Sequence, residues 1–401
     1  MEDKMRKTDV MQFVCVVLFL AVFSSTSFAW EPWKFIVTAD SRSDSPSDHN
    51  GVNTAILGEI ATEIINHDVE FVLFAGDLAI GTSNQNELET QFTTWRDIMQ
   101  PVYDAGIDVY VVRGNHDAVS FPSCISAWNN VFSGPYLLPD NGPAGEVNLT
   151  YSVTHKNAFI LALDQLQTEY RSKNYVNQTW INAQLAINTN PHVFAFGHFT
   201  AFKMIWDSLG DHPADRDLFW DSLENAGGRT YFCGHEHFYN RARADDDGDP
   251  NNDLHQLVIG SAGAPPHDWN GTYPGDNSGR TITNLYHTTL FGYVIVEIDG
   301  FDVTLSWMER QTNDPEIPGI YQAKDVWSYT VCGDAAHPYP KGDIDKNCYV
   351  DYLDFVIIGD QWLQPPGVPS ADIAPEDGVD GVVDLLDFAV FADHWLEYPP
   401  P

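Results

Sequence analysis

The chain has 401 residues, of which 43% are hydrophobic and 13% aromatic, and it carries a formal charge of −37. That length and apolar content exclude a disordered chain and leave room for more than one domain. The acidic balance argues against nucleic-acid binding and against anionic lipid, whose protein partners are basic, and it suits divalent cations.

Lys4, Arg6 and Lys7 precede an apolar run from Val10 to Phe23, followed by small residues ending Ser27-Phe28-Ala29. This charged, apolar, small-residue order predicts a secretory signal over residues 1–29. The run is shorter than the ~20 apolar residues that span a bilayer. The expectation is therefore an exported protein, extracellular, cell-surface or periplasmic, with no transmembrane segment after signal removal. Over residues 30–331, buried strands are predicted at Lys34–Ala39, Val69–Ala75, Val109–Arg113, Ala158–Leu163, Val193–Phe196 and Thr230–Cys233. Helices are predicted near Val52–Asn66, Glu87–Tyr103, Gln178–Ile187 and Arg216–Asn225. The alternation implies an α/β domain. Asp299-Gly300 between Tyr293–Ile298 and Val303–Trp307 signals a hairpin.

A linker follows over 332–341, containing His-Pro-Tyr-Pro, then a second unit over 342–396 and a tail over 397–401. The second unit holds a duplication: residues 351–363 match 384–396 at seven of thirteen positions. Of the five cysteines, Cys15 falls in the signal, and four cysteines allow three pairings. Cys332 and Cys348 are near enough in sequence to close a short loop in an oxidising compartment. Cys124 and Cys233 read as free, buried thiols.

Polar residues gather at the ends of the predicted strands. Asp40 ends Phe-Ile-Val-Thr-Ala-Asp and Asp77 ends Val-Leu-Phe-Ala-Gly-Asp. Gly-Asn-His-Asp (114–117), Gly-His (197–198) and Gly-His-Glu-His (234–237) each follow an apolar run. Side chains at the carboxyl ends of sheet strands converge on a crevice, and carboxylate and imidazole donors suit Mn, Fe or Zn. His235 and His237, two apart in extended backbone, project to one side.

In this order the motifs resemble those of calcineurin-like metallophosphoesterases, purple acid phosphatases among them, over roughly residues 33–310. The resemblance implies a β-sandwich flanked by helices and a di-metal site. It matches Asp40, the bridging Asp77, Asn115, His198, His235 and His237 to the ligands, with His116 as the catalytic histidine. A hydroxide held between two ions would attack phosphorus in line. His116, oriented by Asp117, would stabilise charge or protonate the leaving oxygen. Many members have Asp-x-His in the first motif, where this chain has Asp40-Ser41-Arg42. Purple acid phosphatases add a tyrosine three residues after the bridging Asp, where this chain has Ile80, so no purple colour is expected. The first metal keeps Asp40, Asp77 and His237. Water or His49 completes that site, or its occupancy is weaker. Arg42 reads either as a holder of a substrate phosphate oxygen or as half of a structural ion pair. His67, His155, His192, His212, His255 and His394 read as surface or satisfied core groups. His267 and His287 are secondary candidates for the cleft, and Tyr239 and Arg241 read as substrate contacts or packing.

In the second unit, Asp343, Asp345, Asn347, Asp351 and Asp354 fall at positions 1, 3, 5, 9 and 12 of an EF-hand-type loop, with the Tyr349 carbonyl at 7 and Cys348 where glycine is usual. The second copy has Asp380, Gly381, Asp384 and Asp387 at 5, 6, 9 and 12, with Asp372, Glu376 and Asp377 in an irregular first half. The pair resembles a dockerin, a small all-α module of paired calcium loops that binds cohesin-type partners on scaffolds or cell surfaces. The run Asp245–Asp253 reads as a solvated loop, with calcium as the alternative. The sequence thus predicts a secreted phosphoesterase acting on phosphomonoesters or phosphodiesters. The alternative is a non-catalytic, calcium-dependent binding protein on the same scaffold. A nuclease is disfavoured by the charge.

Overall fold

The computed structural model describes residues 31–250, 252–276, 278–333, 338–375 and 379–397. The expected signal, residues 334–337 of the expected linker, Glu376 and Asp377, and most of the tail lie outside these. In chain order the elements are β1 (Trp33–Thr38), α1 (Thr54–Asn66), β2 (Phe71–Phe74), α2 (Gln85–Asp104), β3 (Asp108–Val111), α3 (Ser123–Val131), β4 (Tyr151–His155), β5 (Ala158–Leu163), α4 (Gln178–Ile187) and β6 (His192–Gly197). There follow α5 (Pro213–Asn225), β7 (Thr230–Cys233), β8 (Tyr239–Asp245), β9 (Leu254–Ile259), β10 (Thr281–Thr288), β11 (Gly292–Asp299), β12 (Asp302–Arg310), β13 (Tyr321–Thr330), α6 (Tyr352–Gln361) and α7 (Leu385–Asp393).

Two mixed sheets, ordered β13-β12-β11-β1-β2-β3 and β10-β8-β9-β7-β6-β5-β4, form an α/β fold flanked by helices. The central strands β1–β2–β3 and β5–β6–β7–β9 run parallel. Parallel strands covered on both faces need apolar residues throughout, which is why Ala158–Leu163 is buried at every position. Alternation divides that strand between two cores: Ile160 and Ala162 join one cluster, Phe159 and Leu161 the other. The sheets meet through aromatic rings, with Phe35 of β1 5.4 Å from Phe194 of β6 and 6.3 Å from Phe232 of β7. Asn53 caps α1 by accepting the N–H of Ile56 at 3.3 Å, which is why that helix starts two residues later than its apolar pattern predicts.

Pattern reading missed β4, β8, β9, β10, β13 and α3. β10 and β13 are antiparallel and largely solvated, so their polar residues hide the alternation. Cys332 and Cys348 are joined by a disulfide, while Cys124 and Cys233 are free and buried. Phe301, Val331, Cys332 and Cys348 form a small cluster with Tyr349, so the expected linker starts from a residue anchored on the β11–β12 turn and the end of β13. The two C-terminal helices share their own core around Ile344, Val350, Ile358, Val383 and Phe391. Among the described residues no helix is long and apolar enough to cross a membrane.

Tyr239 of β8 stacks on Trp307 of β12 at 4.1 Å, joining the two sheets through two buried rings. Trp307→Ala should lower unfolding free energy by about 3–5 kcal/mol, read as a shift in urea midpoint at unchanged m-value.

Candidate metal centre

Five strands deliver the polar motifs to one place. Asp40, Asp77 and His235 all adopt left-handed backbone (φ 62°, 52° and 73°) just beyond β1, β2 and β7. Strain of this kind is stored where the surroundings hold it for function. It turns the side chains off the strand direction and across the sheet ends. The glycines of the motifs are required by close approach. A Cβ on Gly114 would lie 2.1 Å from Asp77 Oδ1, and one on Gly234 would lie 2.2 Å from Asp40 Oδ2.

Asp40 Oδ2 accepts the N–H of His235 at 2.9 Å, and Asp77 Oδ1 accepts that of His116 at 2.9 Å. Their other oxygens, Asp40 Oδ1 and Asp77 Oδ2, are buried without a hydrogen-bond partner. Ligand atoms of Asp40, Asp77 and His237 lie within 4.8 Å of one another. Beside them, Asn115 Oδ1 is 2.9 Å from His198 Nε2 and 2.8 Å from His235 Nδ1, and His198 Nε2 is 3.4 Å from Asp77 Oδ1. His198 Nδ1 donates to the Ala75 carbonyl (2.9 Å), and His237 Nδ1 donates to that of Pro265 (2.8 Å). Both rings therefore direct an Nε2 lone pair inward, the tautomer a metal needs.

Charge agrees with geometry. Burial pushes His198 down to about 4, and burial with the nearby Arg42 cation pushes His237 down to about 3, so both imidazoles are neutral. Burial and the neighbouring Asp77 hold Asp40 well above the usual carboxylate range. Burial opposes ionisation of Asp77 too, but His198, His116 and His235 outweigh it and bring it below its ordinary value. Buried oxygens lacking donors, beside neutral imidazoles lacking protons at the inward nitrogen, fit a pair of cations.

The other expected residues divide. His116 donates from Nδ1 to the Ile80 carbonyl at 2.6 Å and faces the cleft. Asp117 does not orient it. Its carboxylate accepts the N–H groups of Gly114 (2.8 Å) and Leu78 (3.1 Å), bracing the two loops after β2 and β3. Arg42 lines the cleft and makes no ion pair among the described residues, its only side-chain hydrogen bond being a 3.4 Å one to the Ser43 carbonyl. The structural-pair reading of Arg42 is thus not met. His49 is exposed and bonded to Asp48 at 2.5 Å, so it does not reach the first metal position. His267 lines the cleft, whereas His287 lies in β10 and packs on Phe238 and Trp269. Tyr239 and Arg241 both bind Asp325 and serve packing.

Pattern reading missed three groups. Asp207 Oδ1 sits 3.4 Å from His235 Nε2, and its pairing with His235 and Lys173 holds it well below the usual range. Glu236, between the two ligand histidines, accepts the N–H groups of Ile205 (2.8 Å) and Trp206 (2.9 Å) and faces His267 Nε2 at 3.1 Å. Trp206 is 52% exposed at the cleft wall. The Glu236 position was visible inside Gly-His-Glu-His. Asp207 and Trp206 lie in an irregular segment that carries no motif. The whole cleft is ≈ 450 Å³.

In the second unit, Asp343 accepts the N–H groups of Asn347 (3.0 Å) and Cys348 (2.9 Å), and Asp354 accepts those of Ile344 (2.5 Å) and Asp345 (3.1 Å). Oxygens of Asp343, Asp345 and Asp354 lie within 4.8 Å of one another. Burial, with Asp354 and Asp345 nearby, raises Asp343 to about 6. The second loop repeats the scheme: Asp387 accepts from Ile373 (2.6 Å) and Ala374 (2.8 Å), and Asp372 accepts from Gly381 (2.9 Å). Asp372 therefore stands where Asp343 does and Gly381 where Cys348 does, while Ala374 replaces the carboxylate of Asp345. Asp351 and Asp384 cap α6 and α7 through the N–H groups of Leu353 (2.7 Å) and Leu386 (2.8 Å). Asn347 Oδ1 accepts from Tyr349 N (2.9 Å), and Asp380 Oδ1 accepts from Val382 N (3.0 Å). In the third acidic run, Arg243 already lies 3.6 Å from Asp245 and 3.2 Å from Asp253.

Residues 34–239 match the calcineurin-like phosphoesterase family. No curated protein matches the chain. Among solved structures, the chain resembles the purple acid phosphatase PPD1 of yellow lupin (Lupinus luteus) at TM-score 0.54 and 15% identity over 75% of this chain. That alignment spans only 54% of the lupin chain. PhoD aligns at TM-score 0.55 and 12% identity, over 76% of this chain and 71% of its own. GAP50, the anchor in the inner membrane complex of Plasmodium, aligns at 0.51 and 14%, over 76% and 90%. At these identities the likeness is one of fold.

Asp207→Asn should weaken transition-metal binding by about 10–100-fold by removing the outer partner of His235. Competition against a chromophoric chelator reads this directly.

Proposed function

The chain belongs to the calcineurin-like phosphoesterase family, metal-dependent hydrolases of phosphoric esters, and from that premise we propose that the whole protein is an exported phosphoesterase acting on phosphomonoesters or phosphodiesters. The observation that carries this reading is the pair of buried, partnerless carboxylate oxygens on Asp40 and Asp77, facing neutral His237 and the Asn115–His198–His235 group. The family implies a dinuclear transition-metal centre. Asp40, Asp77 and His237 would hold one cation, and Asp77, Asn115, His198 and His235 the other, with Mn, Fe or Zn suited to these donors. When bound, the pair supplies charge neutralisation and a water nucleophile active near neutral pH.

The chain's own residues do the rest. Arg42, at the cleft wall and without an ion pair among the described residues, binds a non-bridging phosphate oxygen with a guanidinium fork. His116 is held by Ile80 through Nδ1, so Nε2 is the nitrogen that meets the leaving oxygen and carries its proton. Asp117 keeps that loop in place through the backbone and touches no substrate. A non-catalytic binding protein has no use for an imidazole so aimed, and that alternative is not favoured.

For the second unit we propose a dockerin-like module in which Asp343, Asp345, Asn347, the Tyr349 carbonyl, Asp351 and Asp354 hold calcium. Asp372, Asp380, Asp384 and Asp387 form a weaker second loop. The repeated hydrogen-bond scheme of the two loops supports this. So do Tyr352 and Leu353, exposed by 65% and 54%, at the same places in the repeat as Leu385 and Leu386, exposed by 61% and 54%. A cohesin-like scaffold or surface partner would cover them. A buried disulfide between Cys332 and Cys348 is in keeping with export.

Elemental analysis of the purified chain should find near two transition metals, with turnover of p-nitrophenyl phosphate or its bis ester. Asp77→Ala should abolish both metal content and turnover. His116→Ala should keep the metals and lower kcat by about 10²–10⁴-fold. No metal and no turnover in the intact chain would end the hydrolase reading. Separately, calorimetric titration should show calcium binding that Asp343→Ala removes from the first loop while leaving phosphatase activity intact.

A further inference from the structure

Metal ligands and a phosphate clamp account for one side of the cleft. The other side is built from Trp206, Pro265, Pro266 and His267, and nothing in phosphate chemistry calls for it. Trp206 is 52% exposed although it is the largest apolar side chain available to be buried there. Isolated exposed apolar residues need no explanation, but an exposed tryptophan lining a concave cleft is an unused contact surface.

The ring's position is built in. The backbone N–H of Trp206 and that of Ile205 are both spent on Glu236, a carboxylate with no solvent exposure that sits between the ligands His235 and His237. The next residue, Asp207, reaches His235 with its side chain at 3.4 Å and Lys173 at 2.8 Å. Glu236 Oε2 also faces His267 Nε2 at 3.1 Å, and the two rings of Trp206 and His267 meet edge-on, 6.1 Å apart at 89°. One buried carboxylate thus fixes both members of the wall to the loop between β7 and β8 that carries His235 and His237. About half of the Trp206 surface, 52%, stays open at the cleft.

We propose that Trp206, backed by His267 and the Pro265-Pro266 step, is an aromatic subsite for the leaving group, and that the substrates are phosphate esters of planar aromatic alcohols. The proposal rests on the phosphoesterase reading for its substrate but not for its binding geometry. A flat ring laid on the indole face gains stacking and buries apolar area on both partners. It keeps the ester oxygen on the cleft side that His116 lines. An alkyl leaving group has no such partner and gains only from the cations and Arg42.

The test compares phenyl phosphate with glycerol 1-phosphate on the metal-loaded full chain, in wild type, Trp206→Ala and Trp206→Phe. Because Trp206 is surface-exposed and its backbone contacts survive substitution, the variants should melt with wild type. Trp206→Ala should raise KM for phenyl phosphate about tenfold, with kcat little changed, leave glycerol 1-phosphate within about twofold, and be rescued by Trp206→Phe. In parallel, calorimetry with phenylphosphonate and methylphosphonate measures binding without turnover. Selective loss of phenylphosphonate binding in Trp206→Ala supports the subsite, even in a preparation that hydrolyses neither ester, a result that would overturn the hydrolase reading alone. Equal effects on aryl and alkyl ligands, or none on either, overturn the subsite while leaving hydrolysis standing.

Discussion

Everything at the centre follows from placing two buried carboxylates, Asp40 and Asp77, side by side just beyond the ends of β1 and β2. Neither is exposed by more than 1%, and burial together with the neighbouring Asp77 holds Asp40 well above the usual carboxylate range. A chain does not bury like charges together without a partner, because an unpaired ion in a low-dielectric interior is among the most unfavourable arrangements a fold can contain. Burial disfavours the charged form of His198 and His237. The open oxygens of the two carboxylates fit the dinuclear metal centre that the family implies. Backbone N–H groups of His235 and His116 occupy one oxygen of each carboxylate and leave the other open.

Holding that arrangement demands support one layer out, and buried acids provide it. Asp117 collects N–H groups from the loops after β2 and β3. Glu236 does the same for the 205–206 segment. Behind Gly114, Arg113 forms a fully buried pair with Asp164 at 2.6 Å, and Asp164 in turn takes Arg171 at 3.0 Å. Each group anchors a loop through directional bonds instead of through packing alone. Loops without regular structure can then position donors closely enough for metal chemistry.

This division explains what was legible in sequence. The parallel strands are apolar on both faces, so their existence, and the polar residues that end them, stand out as interruptions in hydrophobic runs. Of those residues, Asp77, Asn115, His235 and His237 line one cleft, with Asp40 and His198 buried beside them. Asp117, adjacent to His116 in sequence, invited an orienting role, but the loop turns its carboxylate inward and leaves the Ile80 carbonyl to hold the imidazole. Asp207 and Trp206 were invisible because their position depends on a bond from Glu236 across about thirty residues. No local pattern encodes such a contact. Glu236 itself was in view, but as a spacer between two histidines.

The C-terminal unit shows how a duplication diverges under different local constraints. Both copies use an aspartate that caps its helix and, three residues on, an aspartate that reaches back to the loop start. Both need left-handed backbone at one position, which Gly381 adopts freely at φ 87°. In the first copy Cys348 adopts φ 78° there, and its sulfur is bonded to Cys332, beside Phe301 and Val331. A covalent bond and a small apolar cluster hold that turn in the first copy. The second copy has no disulfide among the described residues, has Gly381 at that position, and has Ala374 where the first has Asp345. The first loop therefore keeps the fuller set of carboxylates and a covalent bond to the end of β13, and the second keeps the glycine.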